Sequence, residues 1–289
     1  MSKKLMHNIA ELTKIRITFF VAISSSVGFI LAAGNISMEM TFSVIGILIL
    51  SGGSSAFNHY QEIETDSIMK RTKSRPLPTK SVSRGFAFTF AALMSLSGLA
   101  ILLIFNGLVP FLLGVLALIW YNLIYTPMKK VSPLAVVPGS VIGALPPAIG
   151  WAAAGGSMAD PALWALMLFF FIWQIPHFWF LLLLFEDDYR EAGFPVLTDI
   201  FSREQLKRVT FVWVAALAAS CMLIPLFSSP SHLLTNLLLL AAGIILVWRS
   251  KGLVMDLYAG GNFRFAFRDI NIYVLTVVLL LSFDRLIVI

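Results

Sequence analysis

Nine apolar segments, each roughly as long as a bilayer-spanning helix, constrain the fold of this 289-residue chain more than any other feature. Apolar runs of this length are typical of membrane helices, in which all backbone hydrogen bonds are made within the segment. The composition agrees, since 58% of the residues are hydrophobic, 12% are charged and the mean hydropathy is +0.88. We predict an all-α, polytopic membrane bundle with spans near 17–33, 41–59, 86–105, 108–125, 134–153, 162–185, 209–227, 233–248 and 271–289.

The basic residues predict the orientation of this bundle. With the N-terminus in the cytoplasm, alternation of the spans places every one of the 21 Lys and Arg residues except Arg285 on the cytoplasmic side. This asymmetry is the positive-inside pattern of integral membrane proteins. We expect a bacterial inner-membrane protein with a single domain over residues 1–289. Its net charge of +6 suits membrane lipid headgroups and phosphate ligands, not nucleic acid.

The chain ends and loops add little chemistry of their own. The N-terminal segment runs into a span too long for a signal peptide, so we expect it to be retained. A single cysteine, Cys221, excludes an intramolecular disulfide. The predicted outer loops are short and nearly free of charge, whereas the inner loops are longer and polar. We therefore expect the active site to open to the cytoplasmic side.

The segment NHYQEIETDSIMKRTKSRPL places charged residues where the second predicted span ends. Asn58, Glu62 and Asp66 recur at intervals of four, which puts them on one face of a helix that continues past the span. Carboxylates at a bilayer boundary are costly unless they are neutralised. Mg²⁺ on a diphosphate would neutralise them, since this ion favours one or two carboxylates plus phosphate oxygens. Arg71 and Arg75 suit the remaining phosphate charge.

A second acidic cluster closes the sixth predicted span. Glu186, Asp187 and Asp188 are followed by Glu191. The second and sixth spans end on the same side of the membrane, so both clusters point into the same half of the bundle. Two acidic sites there could hold more than one Mg²⁺ across a diphosphate. The alternative interpretation of this cluster is an ordinary solvated helix end.

A third polar element, YNLIYTPMKKVSP, ends the fourth span. Lys129 and Lys130 could bind phosphate oxygens, with Tyr125 hydrogen-bonding nearby. The same residues also fit a topology signal with an interfacial tyrosine, and the two interpretations are compatible.

His177 is an intramembrane histidine about two helical turns before the second acidic cluster. One interpretation is a hydrogen bond across helices, for example to a carbonyl freed by Pro176. The other is a role in binding or catalysis.

These motifs resemble those of the UbiA superfamily of intramembrane prenyltransferases. Asn58, Glu62 and Asp66, followed by Arg71 and Arg75, are similar to its first aspartate-rich motif, although Glu62 stands where the pattern usually has Asp. The segments PPAIGW and WQIPHFW are similar to one branch of the superfamily, the protoheme IX farnesyltransferases or haem O synthases.

The resemblance implies a UbiA-like fold and a reaction in which farnesyl diphosphate alkylates a vinyl group of haem B with the help of Mg²⁺. It implies that membrane lipid surrounds the enzyme and that a haem A synthase acts downstream. The implied catalytic residues are Asn58, Glu62, Asp66 and His177. The implied metal ligands are Asn58, Glu62, Asp66, Asp187, Asp188 and Glu191, and the implied diphosphate-binding residues are Arg71, Arg75, Tyr125, Lys129 and Lys130.

Two other functions stay open at the level of the sequence. One is a UbiA-type aromatic-acceptor prenyltransferase of the quinone pathway, because the acceptor assignment depends on two short segments. The other is a non-catalytic haem or lipid transporter. Transporters place polar groups near the bilayer midplane on interrupted helices. Here the acidic residues cluster at span ends, which favours an enzyme.

Overall fold

The computed structural model describes residues 3–228, 232–253 and 263–287. Within these ranges every regular element is helical, and nine helical segments are long and apolar enough to cross a membrane, which confirms the predicted all-α class and span count. The predicted end of the ninth span at 289 lies outside the described residues. The first to ninth spans are Ile15–Ala33, Met38–Gln61, Arg84–Asn106, Leu108–Met128, Val136–Ala153, Pro161–Leu184, Arg203–Phe227, Leu233–Leu253 and Phe263–Ile287.

Shorter helices lie at the ends of the spans. The helix Lys3–Leu12 precedes the first span, Ile63–Ile68 follows the second, and Glu186–Glu191 follows the sixth. The third span ends in a π-helical segment, Leu102–Asn106, and the fourth contains another, Trp120–Tyr125. Segments of this kind occur often at functional sites.

The seventh and ninth spans begin earlier than predicted, at Arg203 and Phe263. At the seventh span, the hydroxyl of Ser202 accepts a hydrogen bond of 3.2 Å from the backbone N–H of Gln205, whose side chain accepts one of 2.8 Å in return. This capping box starts the helix among polar residues that hydropathy does not detect. The ninth helix likewise includes charged residues such as Arg268 in its first turns.

Glycines allow the first and fifth spans to pack backbone against backbone. A Cβ added to Gly28 would lie 1.9 Å from the carbonyl oxygen of Pro147, and one added to Gly150 would lie 1.8 Å from that of Ser25. No side chain fits at such distances. These two contacts place the first span directly against the fifth, as small residues commonly do between membrane helices.

The sixth span forms the centre of the bundle. It packs against the fifth, seventh and ninth spans, and Phe169, Ile175 and Phe180 on it are fully buried. Large apolar side chains elsewhere, such as Ile104 and Phe19, are exposed on the outside, where a membrane protein meets lipid. The sixth span therefore carries its C-terminal acidic cluster from the core of the protein to one end of the bundle.

Candidate active site

The first acidic motif continues the second span beyond its end. The helix is interrupted at Glu62, which has φ −113° and ψ 15°. Even so, the N–H of Glu62 donates to the carbonyl of Asn58 at 3.1 Å, and the N–H of Asp66 donates to that of Glu62 at 2.8 Å. The four-residue repeat therefore persists across the interruption. All three side chains are buried, with 2–5% of their surface exposed.

Both carboxylates of this motif pair with basic side chains. Nη1 of Arg75 donates to both carboxylate oxygens of Asp66, at 2.9 and 2.8 Å. Lys129, which follows the fourth span, forms an ion pair with Glu62. Buried charges are tolerated only when they are paired in this way. The structure thus brings together predicted metal ligands and predicted diphosphate-binding residues from separate parts of the chain.

Asn58 is held by two residues that sequence reasoning did not assign to the site. Nζ of Lys14, at the start of the first span, donates to Oδ1 of Asn58 at 2.8 Å, and Nδ2 of Asn58 donates to Oγ1 of Thr126 at 3.2 Å. Burial, followed by the nearby positive charge of Arg75, lowers the pKa of Lys14 to about 7. The sequence had suggested only a topological role for this lysine.

The second acidic cluster contacts the loop that follows the first. Oδ2 of Asp188 accepts a hydrogen bond of 3.0 Å from the backbone N–H of Arg71. On the surface, Nζ of Lys70 lies 3.1 Å from a carboxylate oxygen of Glu191, and this hydrogen-bonded partner raises the pKa of Lys70. The guanidinium of Arg71 lies 4.9 Å from the ring centroid of Phe185. Both acidic motifs therefore belong to one polar region at one end of the bundle.

The acidic residues of the second cluster differ in their exposure and in their hydrogen-bond partners. Asp188 is buried, whereas Asp187 is exposed. Glu186 accepts hydrogen bonds from Arg190, at 3.2 Å, and from Thr198. Glu186 thus fixes the loop after the sixth span, whereas Asp188 contacts the loop after the first motif.

The donor atoms of the two motifs suit Mg²⁺. They are the amide oxygen of Asn58 and the carboxylate oxygens of Glu62, Asp66 and Asp188, which are the hard ligands this ion prefers. In the described part of the chain, no three His, Cys, Asp or Glu side chains form a group that could hold a metal. Mg²⁺ commonly binds proteins through one or two carboxylates together with phosphate oxygens of a substrate.

Aromatic rings surround Lys129 on the other side of the polar region. Its Nζ lies 5.9 Å from the ring centroid of Tyr125 and 5.7 Å from that of Phe194. Tyr125 is buried, whereas Lys130 is exposed and lies outside this group. A pocket beside Lys129 is lined by Tyr125, Phe178, Leu182, Tyr189 and Phe194.

His177 links the sixth span to the ninth. Its Nδ1 lies 2.9 Å from Oδ1 of Asn271, and Nδ2 of Asn271 donates to the carbonyl of Phe267 at 2.6 Å. Because Oδ1 can only accept, Nδ1 of His177 carries the proton and Nε2 keeps its lone pair. The rings of Trp173 and Phe267 lie 4.9 and 4.8 Å away. The cross-helix hydrogen bond therefore exists, and it leaves Nε2 available to a ligand.

Comparison with known proteins identifies the family of this chain. Residues 21–271 match the UbiA prenyltransferase family. The chain belongs to this family. It is 39% identical over 212 residues to a protoheme IX farnesyltransferase of Geobacter sulfurreducens, covering 73% of this chain and 78% of that protein. It is 32% identical over 278 residues to the protoheme IX farnesyltransferase of Oleidesulfovibrio alaskensis, covering 96% of both.

The fold of this UbiA prenyltransferase is shared with solved structures of the family. A UbiA homolog from Archaeoglobus fulgidus, determined with GPP and Mg²⁺ bound, superposes with a TM-score of 0.71 at 14% identity, over 96% of this chain and 99% of that one. The UbiA-like architecture predicted from the sequence motifs is confirmed.

A polar network inside this UbiA prenyltransferase was not predicted. Ser54 and Asn122 exchange two hydrogen bonds: Oγ of Ser54 donates to Oδ1 of Asn122 at 2.6 Å, and Nδ2 of Asn122 donates to the carbonyl of Ser54 at 3.0 Å. In addition, Nε2 of Gln61 donates to the carbonyl of Asn122 at 2.8 Å. It fastens the second span to the π-helical segment of the fourth. The signal in the sequence was the presence of amides within apolar spans, which rarely occurs without a partner.

Proposed function

We propose that this prenyltransferase transfers the farnesyl group of farnesyl diphosphate to a vinyl group of haem B, giving haem O and inorganic diphosphate. The main support is the buried charge cluster, in which Asp66 with Arg75 and Glu62 with Lys129 meet at one end of an apolar bundle. The names of the related proteins supply the acceptor, since protoheme IX farnesyltransferases of two bacteria match most of the chain.

In this proposal the basic side chains bind the diphosphate. Arg75 contacts Asp66 through Nη1 alone, so its other N–H groups can donate to phosphate oxygens. Lys129 lies beside the pocket and brings a positive charge from the fourth span, with Tyr125 next to it. Preorganised cations stabilise the negative charge that develops on a departing diphosphate. Arg71 and the exposed Lys130 would attract the substrate from solution.

The same proposal assigns Mg²⁺ to the acidic residues. Asn58, Glu62 and Asp66 would hold it from the first motif, and carboxylates among Asp187, Asp188 and Glu191 from the second. When bound, the ion supplies Lewis-acid neutralisation of the diphosphate oxygens. The fold neighbour from Archaeoglobus fulgidus, which binds Mg²⁺ and GPP, supports the presence of a divalent metal in such a site.

These roles define which bonds break and form in the proposed reaction. The bond between C1 of the farnesyl chain and the bridging oxygen breaks, and its electron pair leaves with the diphosphate. The allylic carbocation then bonds to a vinyl carbon of haem B. Water adds to the adjacent carbon and loses a proton, which leaves a hydroxyethylfarnesyl side chain. An apolar interior excludes water from the carbocation until this bond has formed.

His177 is assigned to the haem half of the site. Its Nε2 can serve as an iron ligand, as a contact for a propionate or as the base that takes the final proton. The hydrogen bond to Asn271 would orient the ring for any of these roles.

The proposal includes the setting of the enzyme. The protein is an integral membrane protein, and the proposal places it in the bacterial inner membrane with its N-terminus and active site on the cytoplasmic side, as one domain over residues 1–289. Farnesyl diphosphate would enter from that leaflet, and the product would pass to a haem A synthase.

The decisive experiment compares acceptors. Membranes containing the protein are incubated with farnesyl diphosphate, Mg²⁺ and either haem B or 4-hydroxybenzoate, and the products are identified by mass spectrometry. We expect a haem product heavier by one farnesyl group and one hydroxyl group. Prenylated 4-hydroxybenzoate would instead support the quinone-pathway alternative. Movement of haem across proteoliposomes without any prenylated product would support a transporter.

A further inference from the structure

Lys14 occupies an unusual backbone position at the edge of the charge cluster. It precedes the first span with φ 48° and ψ 48°, the left-handed region that residues with a side chain rarely adopt. Such a conformation is unfavourable for a residue with a side chain and often marks a functional site. It directs the amino group inward, where Nζ donates to Oδ1 of Asn58 at 2.8 Å. The backbone is thus arranged to place this ammonium group in the interior.

The charge of Lys14 is not matched by a carboxylate. Arg75 pairs with Asp66 and Lys129 pairs with Glu62, so both buried carboxylates of the first motif already have basic partners. Among the described residues, the hydrogen-bond acceptor of Nζ of Lys14 is a neutral amide. A partly buried ammonium group without a counter-ion is unfavourable. The cluster thus contains three basic side chains for two carboxylates, which suits an incoming anion.

His59 supplies a second unsatisfied group in the same place. Its side chain is 1% exposed, and within the described structure neither ring nitrogen has a hydrogen-bond partner. His59 directly follows Asn58, the residue that Lys14 contacts. Buried polar groups in native proteins are nearly always hydrogen-bonded, so an orphaned imidazole calls for a ligand. A neutral imidazole can donate one N–H to an anionic oxygen.

We propose that Lys14 and His59 form an anion subsite that holds a phosphate group of the prenyl diphosphate on the side of the first span. This inference rests on the proposed function and adds two residues to its substrate contacts. Nζ of Lys14 and a ring N–H of His59 donate to phosphate oxygens. Together with Arg75 and Lys129, they surround the diphosphate with basic groups from four separate parts of the chain.

A haem propionate presents similar oxygens, but the geometry favours the phosphate. Lys14 contacts Asn58, and His59 follows it directly in the acidic motif assigned to the diphosphate. The proposed haem contact, His177, lies instead between the sixth and ninth spans, where it is paired with Asn271. The subsite therefore belongs to the diphosphate half of the site.

The test measures binding in the intact, detergent-solubilised protein. The probe is farnesyl thiolodiphosphate, in which sulfur replaces the bridging oxygen, and calorimetry with Mg²⁺ gives its Kd. Lys14→Met keeps the length of the side chain and removes its charge, and Lys14→Arg restores the charge. His59→Leu removes the ring N–H, and His59→Gln restores a donor. Arg16→Met is the matched control, because it removes a neighbouring, exposed charge of the same N-terminal segment.

We expect Lys14→Met and His59→Leu each to raise the Kd about 10- to 100-fold, as loss of a hydrogen bond to a charged group does. Lys14→Arg and His59→Gln should recover part of the affinity, and Arg16→Met should bind as the wild type does. Binding of haem B, followed by absorbance, should be unchanged in all variants. If Lys14→Met and His59→Leu, correctly folded, bind the probe like the wild type, the subsite is wrong while the proposed function stands.

Two further outcomes separate the inference from the function on which it rests. Loss of haem binding with retained probe binding would assign the two residues to a propionate and overturn the subsite as stated. A wild-type protein that binds no thiolodiphosphate would overturn the proposed function itself. If Lys14→Met or His59→Leu fails to fold, the conservative variant Lys14→Arg or His59→Gln is measured instead. The inference then requires this variant to bind the probe more weakly than Arg16→Met does.

Discussion

The backbone N–H of Arg71 donates a hydrogen bond of 3.0 Å to Oδ2 of Asp188, across 117 positions of the sequence. This one contact joins the loop after the first acidic motif to the helix that carries the second. Because this hydrogen bond uses the backbone of Arg71, the guanidinium of Arg71 is left to contact Phe185 and solvent. Asp188 thus both orders the loop and keeps a second carboxylate oxygen for other partners.

Two substitutions at Asp188 should separate these roles. Asp188→Asn keeps an acceptor for the N–H of Arg71 and loses the charge, whereas Asp188→Ala loses both. We expect both variants to lose at least about 100-fold in kcat if the carboxylate acts on the diphosphate. Only the alanine variant should unfold more easily, by about 1–3 kcal/mol, because it leaves a donor unpaired. Turnover and thermal denaturation in detergent measure the two effects. Full activity of Asp188→Asn would leave the residue a purely structural role.

Removal of the charge of Asp66 should abolish activity, and it should also lower the stability of the protein, because Arg75 then loses its buried partner. Asp66→Ala is expected to reduce turnover by at least about 100-fold, since it removes a proposed metal ligand and the partner of Arg75. The control is Glu64→Gln, which changes an exposed acid on the same short helix and should be silent. A chelator should likewise stop the wild-type enzyme, and added Mg²⁺ should restore it. Undiminished turnover in excess chelator would remove the metal from the proposal.

Arg75→Lys tests whether the guanidinium does more than neutralise Asp66. A lysine can still pair with this carboxylate, because the contact uses Nη1 alone. It loses the planar donors that remain for phosphate. We expect the KM for farnesyl diphosphate to rise about tenfold, while the amount of protein in the membrane stays constant. Arg84→Lys, at an exposed position, is the control. Wild-type kinetics in Arg75→Lys would reduce Arg75 to an ion-pair partner.

His177 should matter for the acceptor and not for the diphosphate. His177→Ala is expected to lower haem farnesylation by about 100-fold and to leave the affinity for farnesyl thiolodiphosphate unchanged. Asn271→Ala should have a smaller effect in the same direction, because it removes only the hydrogen bond that orients the ring. Mass spectrometry of the haem product and calorimetry measure the two quantities. Equal losses of haem transfer and diphosphate binding would contradict the division of the site into two halves.

The contact between the first and fifth spans should tolerate no side chain. Gly28→Ala places a Cβ 1.9 Å from a backbone oxygen of Pro147, so the helices must move apart. We expect a loss of about 1–3 kcal/mol in stability, seen as a lower Tm in detergent. Gly85→Ala is the matched control, since a Cβ at that position in the third span meets nothing within 4 Å. A Tm for Gly28→Ala equal to that of Gly85→Ala would show that the two spans can separate at no cost.

The sequence alone determined the class, the number of spans and the gathering of the polar residues at span ends. The length of each hydrophobic segment decides whether it can cross a bilayer. The period of the helix places Asn58, Glu62 and Asp66 on one face. The sequence therefore predicts the spans and this shared face without coordinates. The seventh and ninth helices begin before the predicted apolar spans. At the seventh, capping by Ser202 and Gln205 starts the helix independently of hydropathy.

Only the tertiary structure decided which charges meet. Lys14, Arg75 and Lys129 look alike in the sequence as cytoplasmic basic residues, yet each contacts a different member of the first motif, whereas Lys130 is exposed. Such partners depend on how distant spans pack and on a left-handed residue at Lys14, and no local pattern encodes either. The physical reason is that a buried charge is stabilised by whichever group the fold brings within a few ångströms, at any separation along the chain.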